Sequence, residues 1–129
     1  MIYYDLFRNS PEFLEIKAGE VLLNEGDPGD EMYVIIHGKA RIELGGMFFG
    51  EIGPGDFVGE LSVIDSSPRL ATTTAVTNCR FVVVDRGRFE SLVANTPAFA
   101  LEVMRVMAHR LRRADQLRLQ GLQASQSST

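Results

Sequence analysis

The sequence predicts a mainly β (α+β) chain: an antiparallel β-roll or jelly-roll barrel, interrupted by one short helix and followed by a long C-terminal helix. Three observations carry this. Glycine and proline recur every few residues through the first two-thirds of the 129 residues. The segments between them are short and rich in valine, isoleucine, phenylalanine and threonine, as strands joined by tight turns should be. The last third has few chain breakers and takes on helical spacing.

Residues 1–12 form a short leading segment. Strands are expected from residue 13 onward. Ala40-Arg41-Ile42-Glu43-Leu44 alternates with period two, the pattern of a half-buried strand. Leu44-Gly45-Gly46-Met47 reads as a tight hairpin, because two glycines accept the positive φ such turns need. Thr72–Thr77 and Phe81–Val84 read as a further strand pair bent at Asn78. Asp85 then caps a short helix burying Phe89, Leu92 and Val93. Asn95 or Thr96 caps the next helix, with Pro97 at a tolerated early position. Its apolar face is Phe99, Val103, Val106 and Met107 with Met104 and Leu111. The helix is assigned to residues 95–120, stopped by Gly121, with 121–129 a disordered polar tail.

Composition narrows the function classes. The length suits one domain with a modest core. No apolar run is long enough to span a bilayer and no signal-peptide pattern is present, so a cytoplasmic location without membrane partners is expected. The single cysteine, Cys79, excludes an internal disulfide and lies in an apolar run, as an inert core thiol would. A net charge of −4 argues against nonspecific nucleic-acid binding, although arginine is crowded late in the chain. The only histidines are His37 and His109, too few for a metal-dependent cupin enzyme, and no nucleophile–base pair is evident. No catalytic residue, metal or cofactor is therefore assigned.

The stretch from Phe57 to Thr72 carries the most chemistry. Gly59-Glu60-Leu61-Ser62 reads as the start of a short helix, where unpaired backbone N–H groups can cradle an anion. Gly59 also permits close backbone approach. Arg69, after Pro68, adds a planar and always-charged fork to the same anion. Glu60 cannot usefully face a phosphate and is assigned to accept a hydrogen bond from a hydroxyl. A 3′,5′-cyclic nucleotide meets both demands, since its 2′-OH is the one free hydroxyl of the sugar. Taken singly, Glu60 and Arg69 would read as a surface ion pair of little worth. Their spacing, with glycine before one and proline before the other, favours the ligand reading.

Gly59-Glu60-Leu61 followed by Pro68-Arg69-Leu70-Ala71 resembles the phosphate-binding cassette of the cyclic-nucleotide-binding domain family, which includes the catabolite activator protein and the regulatory subunits of protein kinase A. The resemblance runs from about Glu15 to Arg113, through Glu25-Gly26-Asp27-Pro28-Gly29-Asp30-Glu31, Gly38 and Gly53-Pro54-Gly55-Asp56-Phe57. It implies a nucleotide-binding β-roll over residues 13–94, preceded by a shorter leader than the family usually has and followed by a lid or dimer helix. It also implies that Gly59, Glu60, Leu61, Ser62, Arg69, Leu70 and Ala71 contact the cyclic phosphate and ribose. Leu70 stands where serine, threonine or alanine is usual, and Ala114 stands where the catabolite activator has an adenine-contacting threonine. Base contacts would then come from Arg110, Arg113 or Asp115 beside Ala114. Loss of a hydroxyl at Leu70 favours cAMP over cGMP.

The expectation is a regulatory sensor, not an enzyme, that binds a cyclic mononucleotide and signals through the long helix to an effector protein not identified by the sequence. Met104, Met107, Leu111 and Ala114 follow 3-4-3 spacing, which fits a homodimer seam or a stripe covering the roll. The resemblance stops where a helix-turn-helix domain would begin, so no nucleic-acid binding is expected of these residues. Alternatives are a roll that has lost nucleotide binding, or the sensor fragment of a larger transcription regulator, kinase or channel.

Overall fold

The computed structural model describes residues 2–127, with side chains from residue 4 to residue 121. Eight strands and four helices form among them: α1 (Ile2–Phe7), β1 (Phe13–Ile16), β2 (Val21–Leu23), β3 (Met32–His37), β4 (Ala40–Leu44), β5 (Met47–Ile52), β6 (Phe57–Val58), α2 (Glu60–Asp65), β7 (Thr72–Ala75), β8 (Cys79–Val84), α3 (Arg86–Asn95) and α4 (Pro97–Ser127). The strands make two antiparallel four-stranded sheets, ordered β1-β8-β3-β6 and β2-β7-β4-β5. The sheets face each other without closing into a barrel.

Sheet alternation divides the core in two. β3 sends Met32, Val34 and Ile36 to one face and Ile35 to the other, and both faces are buried. Its neighbour β8 does the same with Val82 and Val84 against Cys79 and Phe81. Strands covered on both sides read as continuous apolar runs, which is why neither alternates in sequence. One cluster fills the space between the sheets, with Leu23, Ile35, Ile42, Ile52, Val58 and Phe81. The other lies between the first sheet and the helices, with Phe7, Phe57, Val63, Phe99 and Val103. Phe99 meets both Phe7 and Phe89 edge to face, at 6.4 and 5.6 Å between centroids. Burying each such ring stabilises the helical layer by about 2–3 kcal/mol.

Local signals place several boundaries. Gly45 and Gly46 turn the β4–β5 hairpin with φ of 60° and 79°. Asp85 Oδ1 accepts from Arg88 N at 2.8 Å and caps α3. Gly38, with φ of 93°, lies so near Asn78 that an added Cβ would come within 2.2 Å of its carbonyl oxygen.

Three expectations are corrected, and one pair of alternatives, the cap before α4, is decided. β7 and β8 do not pair: β7 lies between β2 and β4, and β8 between β1 and β3. Val76 and Thr77 donate instead to Lys39 O, carrying the chain from one sheet to the other. Val93 is exposed, while Phe89 and Leu92 pack against the core. Asn95 ends α3 by donating to Ser91 O at 2.9 Å, leaving the turn into α4 to Thr96, whose carbonyl accepts from Phe99 N. Finally, α4 continues through Gly121 to Ser127, so the segment assigned as tail is largely helical. One glycine costs a helix only about 1 kcal/mol and does not end it without a competing cap. Residues 128–129 of that segment lie outside the described residues. The leader assigned to residues 1–12 contributes α1, whose Phe7 is a core residue.

Candidate functional site

A cavity of about 360 Å³ opens between the second sheet, α2 and α4. Its lining includes Gly59, Glu60, Leu61, Ser62, Arg69, Leu70, Ala71, Arg110 and Ala114, which the sequence singled out. Arg113 is not among them. It lines the neighbouring groove against β5, with Arg105 and His109. Helical phase explains the separation: Met107, Arg110, Leu111 and Ala114 fall on one stripe, and Arg113 lies about 100° away from Ala114. Asp115 is also absent from the cavity lining and is paired with Arg118 at 3.0 Å.

The first turn of α2 has no side-chain cap. Gly59 occupies the N-cap with φ of 85°, a left-handed conformation costly for other residues. A Cβ there would come within 2.9 Å of Glu31 O and 2.8 Å of the Arg69 guanidinium. The glycine therefore lets the chain turn sharply into α2 with Arg69 directly alongside. At the other end, Arg86 Nε donates to Val63 O at 3.1 Å and its Nη2 donates to Ser66 Oγ, fastening α2 to the start of α3.

Arg69 is held from both directions. Its N–H donates to Asp27 O at 2.8 Å and its carbonyl accepts from Gly26 N at 2.7 Å. Its Nη1 donates to Glu31 O at 2.7 Å and to Gly59 O at 3.4 Å. The guanidinium also lies 5.8 Å from the centre of the Tyr33 ring. Burial pushes the Tyr33 hydroxyl pKa up, and the Glu31 carboxylate beside it adds to the rise. Arg69 is only 6% exposed, yet among the described residues no carboxylate lies within ion-pair distance of it. A buried guanidinium held by neutral carbonyls and a tyrosine ring, with no direct ion-pair partner among the described residues, is a position an anion can occupy favourably.

Glu60 is different. Its buried carboxylate accepts from Arg110 Nη1 at 3.0 Å, and Arg110 Nη2 donates to Phe57 O. The Arg110 guanidinium lies over the Phe57 ring, 5.1 Å from its centre. The first turn of α2 is thus tied directly to the middle of α4. Sequence reasoning missed Glu31, Tyr33 and Gly29 as supports for Arg69. They lie some forty residues earlier in the chain, and no local signal joins them to it.

Residues 13–96 match the family model described as cyclic nucleotide-binding domain. The chain belongs to that family. A CRP-like cAMP-activated global transcriptional regulator of Mycobacterium tuberculosis is 36% identical over 107 residues, covering 79% of this chain and 48% of the relative. The chain thus spans about half the length of that relative. A lysophospholipase nte1 of Aspergillus terreus is 33% identical over 106 residues, which are 78% of this chain but 7% of that protein. Among solved structures, cAMP-bound PfPKA-R superposes with a TM-score of 0.74 at 26% identity, over 82% of this chain and 36% of that one. The Thermus thermophilus catabolite activator protein gives 0.71 at 29% identity, over 81% and 52%. Both the family and the β-roll with its long C-terminal helix agree with the reading of the cassette motif. No helix among the described residues is long and apolar enough to cross a membrane.

Proposed function

We propose that this cyclic nucleotide-binding domain is a sensor whose cavity takes a 3′,5′-cyclic mononucleotide, cAMP in preference to cGMP. The observation that carries the reading is the buried Arg69, without a direct ion-pair partner among the described residues, beside the uncapped first turn of α2. Arg69 and the amides from Gly59 to Ser62 hold the cyclic phosphate, and Glu60 accepts from the ribose 2′-OH. Leu70 and Ala71 flank the phosphate and sugar.

Signalling follows from the Glu60–Arg110 pair. A ribose hydroxyl arriving at Glu60 shares the carboxylate that now binds α4, so ligand binding and helix position are linked. The linkage works only through different affinity in the two helix positions. The output is a change in an effector-protein surface or in a homodimer seam along α4, where Met104 and Leu111 are exposed. A cytoplasmic setting suits this role. The module is regulatory and needs no cofactor beyond its ligand.

Three ligands test the reading. Binding of cAMP with about tenfold or weaker binding of 2′-deoxy-cAMP, and little of 5′-AMP, supports both the closed phosphate ring and the role of Glu60. Equal binding of the 2′-deoxy compound removes Glu60 from the ribose. A second reading, a roll that has lost nucleotide binding, draws on Leu70 at the cavity and on Glu60 being engaged by Arg110. Absence of binding to every cyclic nucleotide favours it.

A further inference from the structure

We infer that the groove between β5 and α4 is a docking site for an extended acidic segment of a partner protein, which adds to the free edge of β5 and sets alternate carboxylates against Arg105, His109 and Arg113 of α4. The inference is independent of the cyclic-nucleotide reading.

Four strands end the two sheets, β1 and β6 in one and β2 and β5 in the other. An edge strand presents a row of backbone N–H and C=O groups that no neighbouring strand satisfies. β1, β2 and β6 span only four, three and two residues. β5 spans six, and it carries neither lysine nor proline, residues that commonly guard an edge. Instead its Met47 is 70% and its Phe48 56% exposed. Phe49, the extra residue where pairing with β4 shifts, packs against the core.

Beside this edge lies a groove of about 600 Å³. Successive residues of β5, from Phe48 to Ile52, line it. Successive side chains of a strand point to opposite faces, so such a run lays the strand's edge along the groove. The opposite wall is α4, from Glu102 to Arg113. These walls amount to about 14 Å of strand and about 16 Å of helix, room for about four or five residues of extended chain.

The charges of the groove indicate its occupant. The acidic groups are engaged: Glu102 lies 3.4 Å from Arg105, Glu51 lies 4.0 Å from Lys39, and Asp56 Oδ2 accepts from Gly53 N at 2.8 Å. Arg110 is held by Glu60 and Phe57 O. Among the described residues, no carboxylate lies within ion-pair distance of His109 or Arg113. Arg105, His109 and Arg113 recur every four residues, about 6 Å apart along the helix, and alternate side chains of a strand stand about 7 Å apart. Acidic residues at every second position of an added strand therefore meet the stripe in step. A second copy of β5 brings only Glu51 and matches it poorly.

The test uses the intact nitrogen-15-labelled chain and two short synthetic probes, one alternating valine with glutamate and one alternating valine with lysine. The glutamate probe is expected to bind at about 100 μM or tighter, shifting amide signals in residues 48–52 and 105–113 and slowing amide exchange in β5. The lysine probe should bind at least about tenfold more weakly. Arg113→Glu, an exposed substitution checked by thermal melt, should weaken the glutamate probe by about tenfold and favour the lysine probe. Equal binding of the two probes overturns the inference, as do shifts confined to other surfaces or no binding at about 2 mM of either probe. Sedimentation showing a dimer that Phe48→Lys returns to monomer also overturns it, because a second copy then covers the edge.

Discussion

Arg110, near the middle of the long C-terminal helix, reaches across to the first residue of the cassette helix and donates to the buried carboxylate of Glu60 at 3.0 Å. Both residues line the cavity, and the pair ties α2 to α4 across it. Its second bond, to Phe57 O, anchors the same guanidinium to the strand before the cassette. Such a contact is costly to break by halves. Arg110→Met is expected to destabilise the fold by about 2–4 kcal/mol, since Glu60 is left buried without its cation, and Glu60→Gln/Arg110→Met to recover much of that loss. Urea unfolding of the single and double variants measures this. Additive losses contradict the coupling.

The Gly29 backbone packs against the Arg69 side chain so closely that an added Cβ would lie 2.4–2.5 Å from three guanidinium atoms. Gly29→Ala should therefore displace Arg69 and lower cyclic-nucleotide affinity by about tenfold, with a smaller effect on stability. Gly50→Ala, where a Cβ meets nothing within 4 Å, is the matched control. Titration of both variants with cAMP gives the comparison. Equal affinities would mean that Gly29 does not aim the arginine.

Cys79 gives a pH dependence with a definite sign. It is buried, its Sγ donates to Lys39 O at 3.1 Å, and burial pushes the thiol pKa above the ordinary value of a free thiol, about 8.5. The folded state therefore holds its proton more tightly than the unfolded state. The stabilisation is complete well below the unfolded pKa of about 8.5 and is lost as pH rises from there through the folded pKa. Urea midpoints should fall between pH 8 and pH 10, and less steeply in Cys79→Ala, compared at matched ionic strength. Tyr33, also raised, adds a similar decline at higher pH.

Arg86 links the two halves of the helical layer through Val63 O and Ser66. Ser66 itself has φ of 60°, a conformation that costs a non-glycine residue about 1 kcal/mol. Arg86→Ala should speed amide exchange in residues 60–66 by about tenfold, with little change in β3 and β8. Unchanged exchange in α2 would remove Arg86 as its support.

What was legible in the sequence is what local chemistry decides. Gly45-Gly46 has one economical conformation, Asp85 has an N–H three residues on to accept from, and Gly59 marks a sharp turn into a short helix. Pairing across the roll was not legible. Thr72–Thr77 and Phe81–Val84 look like neighbours because three residues part them, yet Val76 to Asn78 carry the chain between sheets. Gly121 looked like a helix stop because propensity is local, and the helix around it continues. Arg113 was placed with Arg110 because helical phase matters only once the cavity's side of the helix is known. The supports of Arg69 were hidden for the same reason. Glu31, Tyr33 and Gly29 read as strand and turn residues until the fold brings them against it.

Calorimetric titration of cAMP into the native chain and into Arg69→Ala tests the central claim most directly. The account predicts one site per chain in the native protein and a loss of at least about a hundredfold in the variant, because the buried cation that holds the phosphate is gone. Undiminished binding in a folded Arg69→Ala protein, or no heat from the native chain with cAMP or cGMP, would contradict it.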